Sequence, residues 1–246
     1  MLENYRNDLF DVIIQGGQSN AEGCGSGFVS DEYVPSEDIL YLNNDLTISI
    51  AEERIWDGQK INEFALSFSR EYVRSGRLAE GRKILIVRSA VGGTGWADNR
   101  WGMTEDLYLK MMEMIKTALD LNSGNNLVAF LWHQGETDSG STRDVHYEHL
   151  KELVESVRNV YQCPQLPFIA GDFVHEWKNA TFDPEVEVPA VQAIRDVCAD
   201  IGYAAFVETS ELHSNNQDTG NEDTIHFSRE ALNLLGVKYF NAFIKI

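Results

Sequence analysis

Five short apolar runs rich in β-branched residues, separated by longer segments of helical period, constrain this chain more than any other feature of its 246 residues. The runs are Asp11–Ile14, Lys83–Val87, Leu127–Leu131, Leu166–Ala170 and Tyr203–Val207. Their hydrophobicity is continuous rather than alternating, the pattern of strands covered on both faces. Between them Asn62–Arg74, Thr104–Leu121, Asp144–Tyr161 and Val188–Asp200 carry apolar residues at helical spacing. Such β, α alternation predicts an α/β fold of three layers, with a central mainly parallel five-stranded sheet between helices, built from residues 1–246 as one domain.

A closing helix is expected from Ser228, whose hydroxyl can cap the run Arg229–Leu235 before Gly236 interrupts it. That leaves His226 on the loop just before a helix. Two stretches rich in polar residues and glycine, 23–61 and 208–225, are candidate site loops, because open α/β sheets bind ligands beyond the carboxyl ends of their strands.

Charge removes several classes of partner. Against 20 Lys and Arg stand 39 Asp and Glu, a formal charge of -19. Nucleic acid and anionic membrane surfaces would both be repelled at long range. The opening Met1–Asp8 has neither a basic start nor an apolar stretch, which predicts a cytoplasmic protein, and no run of about 18 apolar residues suggests a membrane span. Cys24, Cys163 and Cys198 form no CxxC pair and read as ordinary thiols, with Cys24 a weak rival nucleophile because it lies near Ser19 in sequence.

Chemistry-bearing residues gather where the strands should end. Gln15-Gly-Gly-Gln-Ser19-Asn20 follows the first strand, with Gly16 and Gly17 able to relieve crowding at a turn. A serine there can be a nucleophile or a helix cap. No Gly-Lys-Ser/Thr follows, and the final glycine of GxSxG is missing, so phosphate-loop and nucleophile-elbow readings fail. Ala90-Val-Gly92-Gly93-Thr94 brings glycines after the second strand, and Asp98 stands where a dinucleotide motif needs its last glycine. His133-Gln134-Gly135-Glu136-Thr137-Asp138 ends the third; metal ligation by His133, Glu136 and Asp138 is one reading, bracing of loops by hydrogen bonds the other. Asp223-Thr-Ile-His226 lets a carboxylate fold back on an imidazole, an arrangement that can orient a general base or simply hold a turn.

Taken in order, Gly17-Gln18-Ser19-Asn20-Ala21, Ala90-Val91-Gly92-Gly93-Thr94, His133-Gln134-Gly135-Glu136-x-Asp138 and Asp223-x-x-His226 resemble the blocks of the SGNH hydrolase superfamily. Within it they are most similar to the sialate O-acetylesterase-like and acetylxylan-esterase-like carbohydrate esterases. The resemblance implies a flavodoxin-like three-layer fold and a serine esterase that needs no metal or other cofactor. It implies Ser19 as nucleophile, His226 as base and then acid, and Asp223 as the group orienting His226. The oxyanion would meet the Ser19 backbone N–H, a backbone N–H at Gly92 or Gly93, and the Gln134 side-chain amide. Many superfamily members carry asparagine in that last place, so the glutamine is a departure shared with the carbohydrate-esterase branch.

The expected substrate is a short acyl ester, by resemblance an acetyl ester, on a small sugar or a polysaccharide. Trp96 and Trp101, with Trp132, lie in or beside these blocks and could pack on a sugar ring as readily as fill a core. Arg88 and Arg100 could meet an acidic sugar or serve paired surface roles. The rival readings are a catalytically silent carbohydrate-binding protein and a metal-dependent hydrolase.

Overall fold

The computed structural model describes residues 2–246. The central strands are β1 (Leu9–Gly17), β2 (Ile39–Leu42), β3 (Ile48–Ile50), β6 (Arg82–Arg88), β7 (Asn126–His133), β8 (Phe168–Gly171) and β9 (Ala204–Val207). They lie in the order β3-β2-β6-β1-β7-β8-β9, all parallel except β3, which pairs antiparallel with β2. The five apolar runs each overlap one of the strands β6, β1, β7, β8 and β9, those of β8 and β9 starting two residues and one residue early.

The sheet has seven strands, not five. The extra pair, β2 and β3, comes from the polar stretch read as loop, in which the three residues of β3 are too few to display a period. The same stretch supplies a separate hairpin, β4 (Arg54–Trp56) and β5 (Gln59–Ile61).

Alternate side chains of each central strand enter two apolar layers. Val12 and Ile14 join α3 (Asp106–Asp120), α4 (Arg143–Val160) and α6 (Pro189–Asp200) on one face, while Ile13 joins α2 (Phe64–Arg74) and α8 (Arg229–Phe243) on the other. Burial on both faces explains why the strands are continuously apolar. Ser228 caps α8 as expected, accepting from Ala231 N at 3.1 Å. Gly236, however, does not interrupt the helix, which runs through it to Phe243. A Cβ at Gly236 would come within 2.0 Å of Ser67 Oγ and 2.1 Å of Phe64 O, so its missing side chain is what lets α8 lie against α2. The short α1 (Ser19–Glu22), α5 (His175–Thr181) and α7 (Asn215–Thr219) are the other α-helices among the described residues.

The chain runs from β1 to strands on one side, then crosses to β7 on the other. The carboxyl ends of β1 and β7 therefore border a topological switch point, the position where open sheets of this kind leave a crevice.

Candidate active site

The turn after β1 is dictated by Gly17. Gly17 has φ +126°, and a Cβ there would lie 2.1 Å from the His133 carbonyl oxygen of β7, so no side chain fits. Gln18 N donates to that carbonyl at 2.9 Å, and the chain then turns into α1, with Ser19 at its first position. The Ser19 N–H consequently has no acceptor within its own helix.

The opposing wall comes from the loop after β9. Asn215 N donates to His226 O (2.8 Å), Asn216 N to Asp223 O (2.9 Å) and Ser228 N to His213 O (3.0 Å), tying 213–228 into a closed loop. This brings His226 to Ser19 across 207 positions of sequence: His226 Nε2 lies 2.9 Å from Ser19 Oγ. Behind the ring, Nδ1 lies 3.0 and 2.9 Å from the two Asp223 carboxylate oxygens, and His226 N adds a third contact at 3.2 Å. Partial burial works to raise the Asp223 carboxyl, but hydrogen bonds from His226 and Asn215 outweigh it and hold the group below its ordinary value. With Nδ1–H donated to that carboxylate, Nε2 is left to accept from the serine hydroxyl.

Two asparagines that the sequence reading did not single out for roles fix this geometry. Asn20 donates to Ile225 O (3.1 Å) and Glu136 Oε1 (2.8 Å) and accepts from Phe227 N (3.0 Å), gripping the backbone on both sides of His226. Asn215 donates to Asp223 Oδ2 (2.9 Å) and Cys24 O (2.9 Å), and its carbonyl accepts from Ser26 N (2.8 Å) and Ser26 Oγ (3.0 Å). Asn20 stands beside Ser19 in its block and could have been suspected. Asn215 carries no motif.

The third block braces more than it lines. Glu136 is buried beside His133, with Nε2 to Oε1 3.7 Å; burial works to raise its carboxyl, and His133 and Asn20 together pull it below the ordinary range. Asp138 accepts from Trp96 N (3.0 Å), Ala97 N (2.8 Å) and Gln134 Nε2 (2.6 Å). Gln134 thus gives its amide to Asp138 and, at 3.3 Å, to Thr94 O, rather than to the neighbourhood of Ser19. Among the described residues no three His, Cys, Asp or Glu groups form a metal-holding cluster.

Of the two glycines, Gly92 is the one against the serine: a Cβ there would lie 3.5 Å from Ser19 Cβ, whereas one at Gly93 would meet nothing within 4 Å. Gly92 N donates to Glu22 Oε2 at 2.7 Å. The tryptophans expected to meet a sugar are inside. Trp96, Trp101 and Trp132 are buried in one aromatic cluster, with centroids 5.8 Å apart for Trp96–Trp132 and 4.9 Å for Trp101–Trp132. Arg88 is occupied by Glu63 and by Glu22 O, and Arg100 by Asp106. Cys24 lines the site, but burial pushes its thiol up to about 11, away from the thiolate a nucleophile needs.

Beside His226 opens a cleft of about 560 Å³, bordered by Glu22, Arg54, Trp56, Asp57 and Asn221. Trp56 is the exposed tryptophan here, and the signal that could have found it is Asp57-Gly58, a strong hairpin dipeptide set between Arg54-Ile-Trp56 and Gln59-Lys-Ile61.

A flavodoxin-like strand order, β6-β1-β7-β8-β9, carries these blocks at its carboxyl edge and defines a three-layer α/β protein. More narrowly, the chain belongs to the carbohydrate esterase, sialic acid-specific acetylesterase family, whose model matches residues 9–245, and it is a carboxylic ester hydrolase. No curated protein sequence matches it. Among solved structures it is similar to NanS (TM-score 0.77, 20% identity, 97% of each chain). It is also similar to a protein from Arabidopsis thaliana (0.71, 19%, 96% of this chain and 98% of that one). A carbohydrate acetylesterase from Xanthomonas citri is a further match (0.57, 15%, 94% and 55%).

Proposed function

We propose that the chain hydrolyses acetyl O-esters of sugars through a covalent acyl-enzyme, with Ser19 as nucleophile, His226 as general base and acid, and Asp223 orienting His226. The observation that carries this reading is the unbroken row Asp223–His226–Ser19, with contacts of 2.9 Å on both sides of the imidazole. A neutral serine is a poor nucleophile; attack becomes feasible when the imidazole takes its proton as the Oγ–carbon bond forms. The imidazolium, stabilised by Asp223, then protonates the departing sugar oxygen, and water repeats the sequence on the acyl-enzyme to release acetate.

The tetrahedral oxyanion needs fixed donors, one of which is ordinarily worth about 10²–10³ in turnover. The Ser19 and Gly92 N–H groups are the proposed pair. Gly92 N already holds a carboxylate oxygen of Glu22, which marks it as an anion-accepting donor, and the oxyanion would replace Glu22 there. Gln134 would act at one remove, through Asp138 and the 94–97 backbone.

The deciding experiment is acetate release from a panel of acetylated sugars by wild type and Ser19→Ala, together with mass spectrometry after a serine-reactive phosphonate. Wild type should release acetate and gain one adduct on Ser19, and Ser19→Ala should do neither. Turnover surviving in Ser19→Ala would remove Ser19 from the mechanism. Sugar binding without acetate release or labelling would mean a silent binding protein instead.

A further inference from the structure

The row of catalytic groups explains bond cleavage but not how a sugar is held, and Trp96 and Trp101 are buried in the core. The cleft's own aromatic surface is Trp56, which is 67% exposed. It stands on a stiff mount. The β4–β5 connection is the two-residue turn Asp57-Gly58, with φ +49° and +75°, the conformation whose twist matches a hairpin. Arg54 ties β4 to the segment just after α1, donating to Gly23 O at 2.6 Å, and its guanidinium carbon lies 5.9 Å from the Trp56 ring centre. A flat apolar ring pre-positioned beside the base, and left to water in the free protein, is what packing against a pyranose face requires.

Charge narrows the ring. The cationic side chain bordering the cleft is Arg54, and it is shared between Gly23 O and Glu22 Oε1, the latter 3.5 Å away. Against it stand the carboxylates of Glu22 and Asp57, with Asp223 already committed to His226. A sugar bearing its own carboxylate would meet like charge, because the unpartnered nitrogen of Arg54, Nε, is buried away from the cleft opening.

We propose that the β4–β5 hairpin is the sugar-recognition wall of this esterase, that Trp56 packs on the ring bearing the ester, and that the preferred ring is uncharged. The proposal rests on the cleft being the ester site, and it departs from the acidic sugar named in the family's description.

A matched pair of probes tests it: acetylated methyl glucoside and acetylated methyl glucuronide, which differ by one carboxylate, with ring-free ethyl acetate as reference. Wild type should favour the glucoside over the glucuronide by about tenfold in kcat/KM, and Asp57→Asn should narrow that gap. Trp56→Ala should raise KM for the glucoside about tenfold and lower its kcat/KM relative to ethyl acetate by a similar factor, with Trp56→Phe recovering most of the loss. Equal losses on glucoside and ethyl acetate, or a glucuronide hydrolysed as well as the glucoside, would overturn it. Calorimetric binding of acetylated methyl glucoside to Ser19→Ala judges the wall without turnover. The Kd should rise about tenfold in Ser19→Ala/Trp56→Ala, and an unchanged Kd would refute the proposal even if the catalytic reading stood. Failure of wild type to hydrolyse any of the three esters would instead count against the catalytic reading.

Discussion

At the scale of single residues, the site is held by side chains that touch no substrate. Asn20 is the clearest: one amide joins Glu136 to the backbone flanking His226, and all its partners are drawn from distant sequence. Asn20→Ala leaves a buried carboxylate oxygen and a backbone N–H unpaired, an expected loss of about 2 kcal/mol in stability. It also frees His226 to drift from Ser19, and kcat should fall about 10²-fold with KM little changed. Asn20→Asp should not rescue it, since a carboxylate cannot donate to Glu136. Steady-state kinetics beside urea denaturation check this; a variant that loses stability but keeps kcat would make Asn20 a structural residue only. The serine, histidine and aspartate were legible as residue types in sequence blocks. Their contacts were not, because a hydrogen bond spanning 207 positions leaves no local trace.

At the scale of elements, long periodic helices and continuously apolar strands were legible, and three-residue strands were not. The four predicted helices match α2, α3, α4 and α6 to within two residues at each end, because each repeats its apolar face over three or more turns. The three residues of each of β3, β4 and β5 offer too few positions to show a pattern, and β2, no shorter than β8 or β9, was passed over with them inside a stretch rich in polar residues. The α8 helix was cut short at Gly236 because a glycine lowers helix propensity, and tertiary packing outweighed that preference. Gly236→Ala makes the competition measurable. Alanine should contribute about 1 kcal/mol through propensity. Its Cβ must nevertheless displace Ser67 or the Phe64 carbonyl, and a net loss of about 1–3 kcal/mol is expected. A stabilised Gly236→Ala protein in thermal denaturation would mean that the α2–α8 contact yields easily.

For the molecule as a whole, burial of ionisable groups sets how stability depends on pH. His146 of α4 is packed against Trp96, with both ring nitrogens unpartnered, and burial pushes its pKa from 6.5 down to about 4. Unfolded chain therefore takes up a proton between these values that folded chain refuses. The associated stability is complete above pH 6.5 and is lost as pH falls toward 4, a change on the order of 3 kcal/mol. Glu136 and Asp223, both held below the ordinary carboxylate range, add losses at still lower pH. His146→Phe should flatten the dependence between pH 6.5 and 4 in a series of urea titrations, and an unchanged slope would show that His146 does not set it.

By itself the sequence determined the strand–helix alternation, the fold class and the order of the blocks that bear the chemistry, because each is written in local periodicity or in contiguous residues. Folding decided which of those residues do what. It turned Gln134 toward Asp138 and put Trp96 and Trp101 into the core, while a two-residue turn carried the unremarked Trp56 to the cleft. The physical reason is that burial and orientation depend on what packs from elsewhere in the chain. A tryptophan or an amide has the same chemistry inside or outside, and only its neighbours in three dimensions settle whether that chemistry faces a ligand.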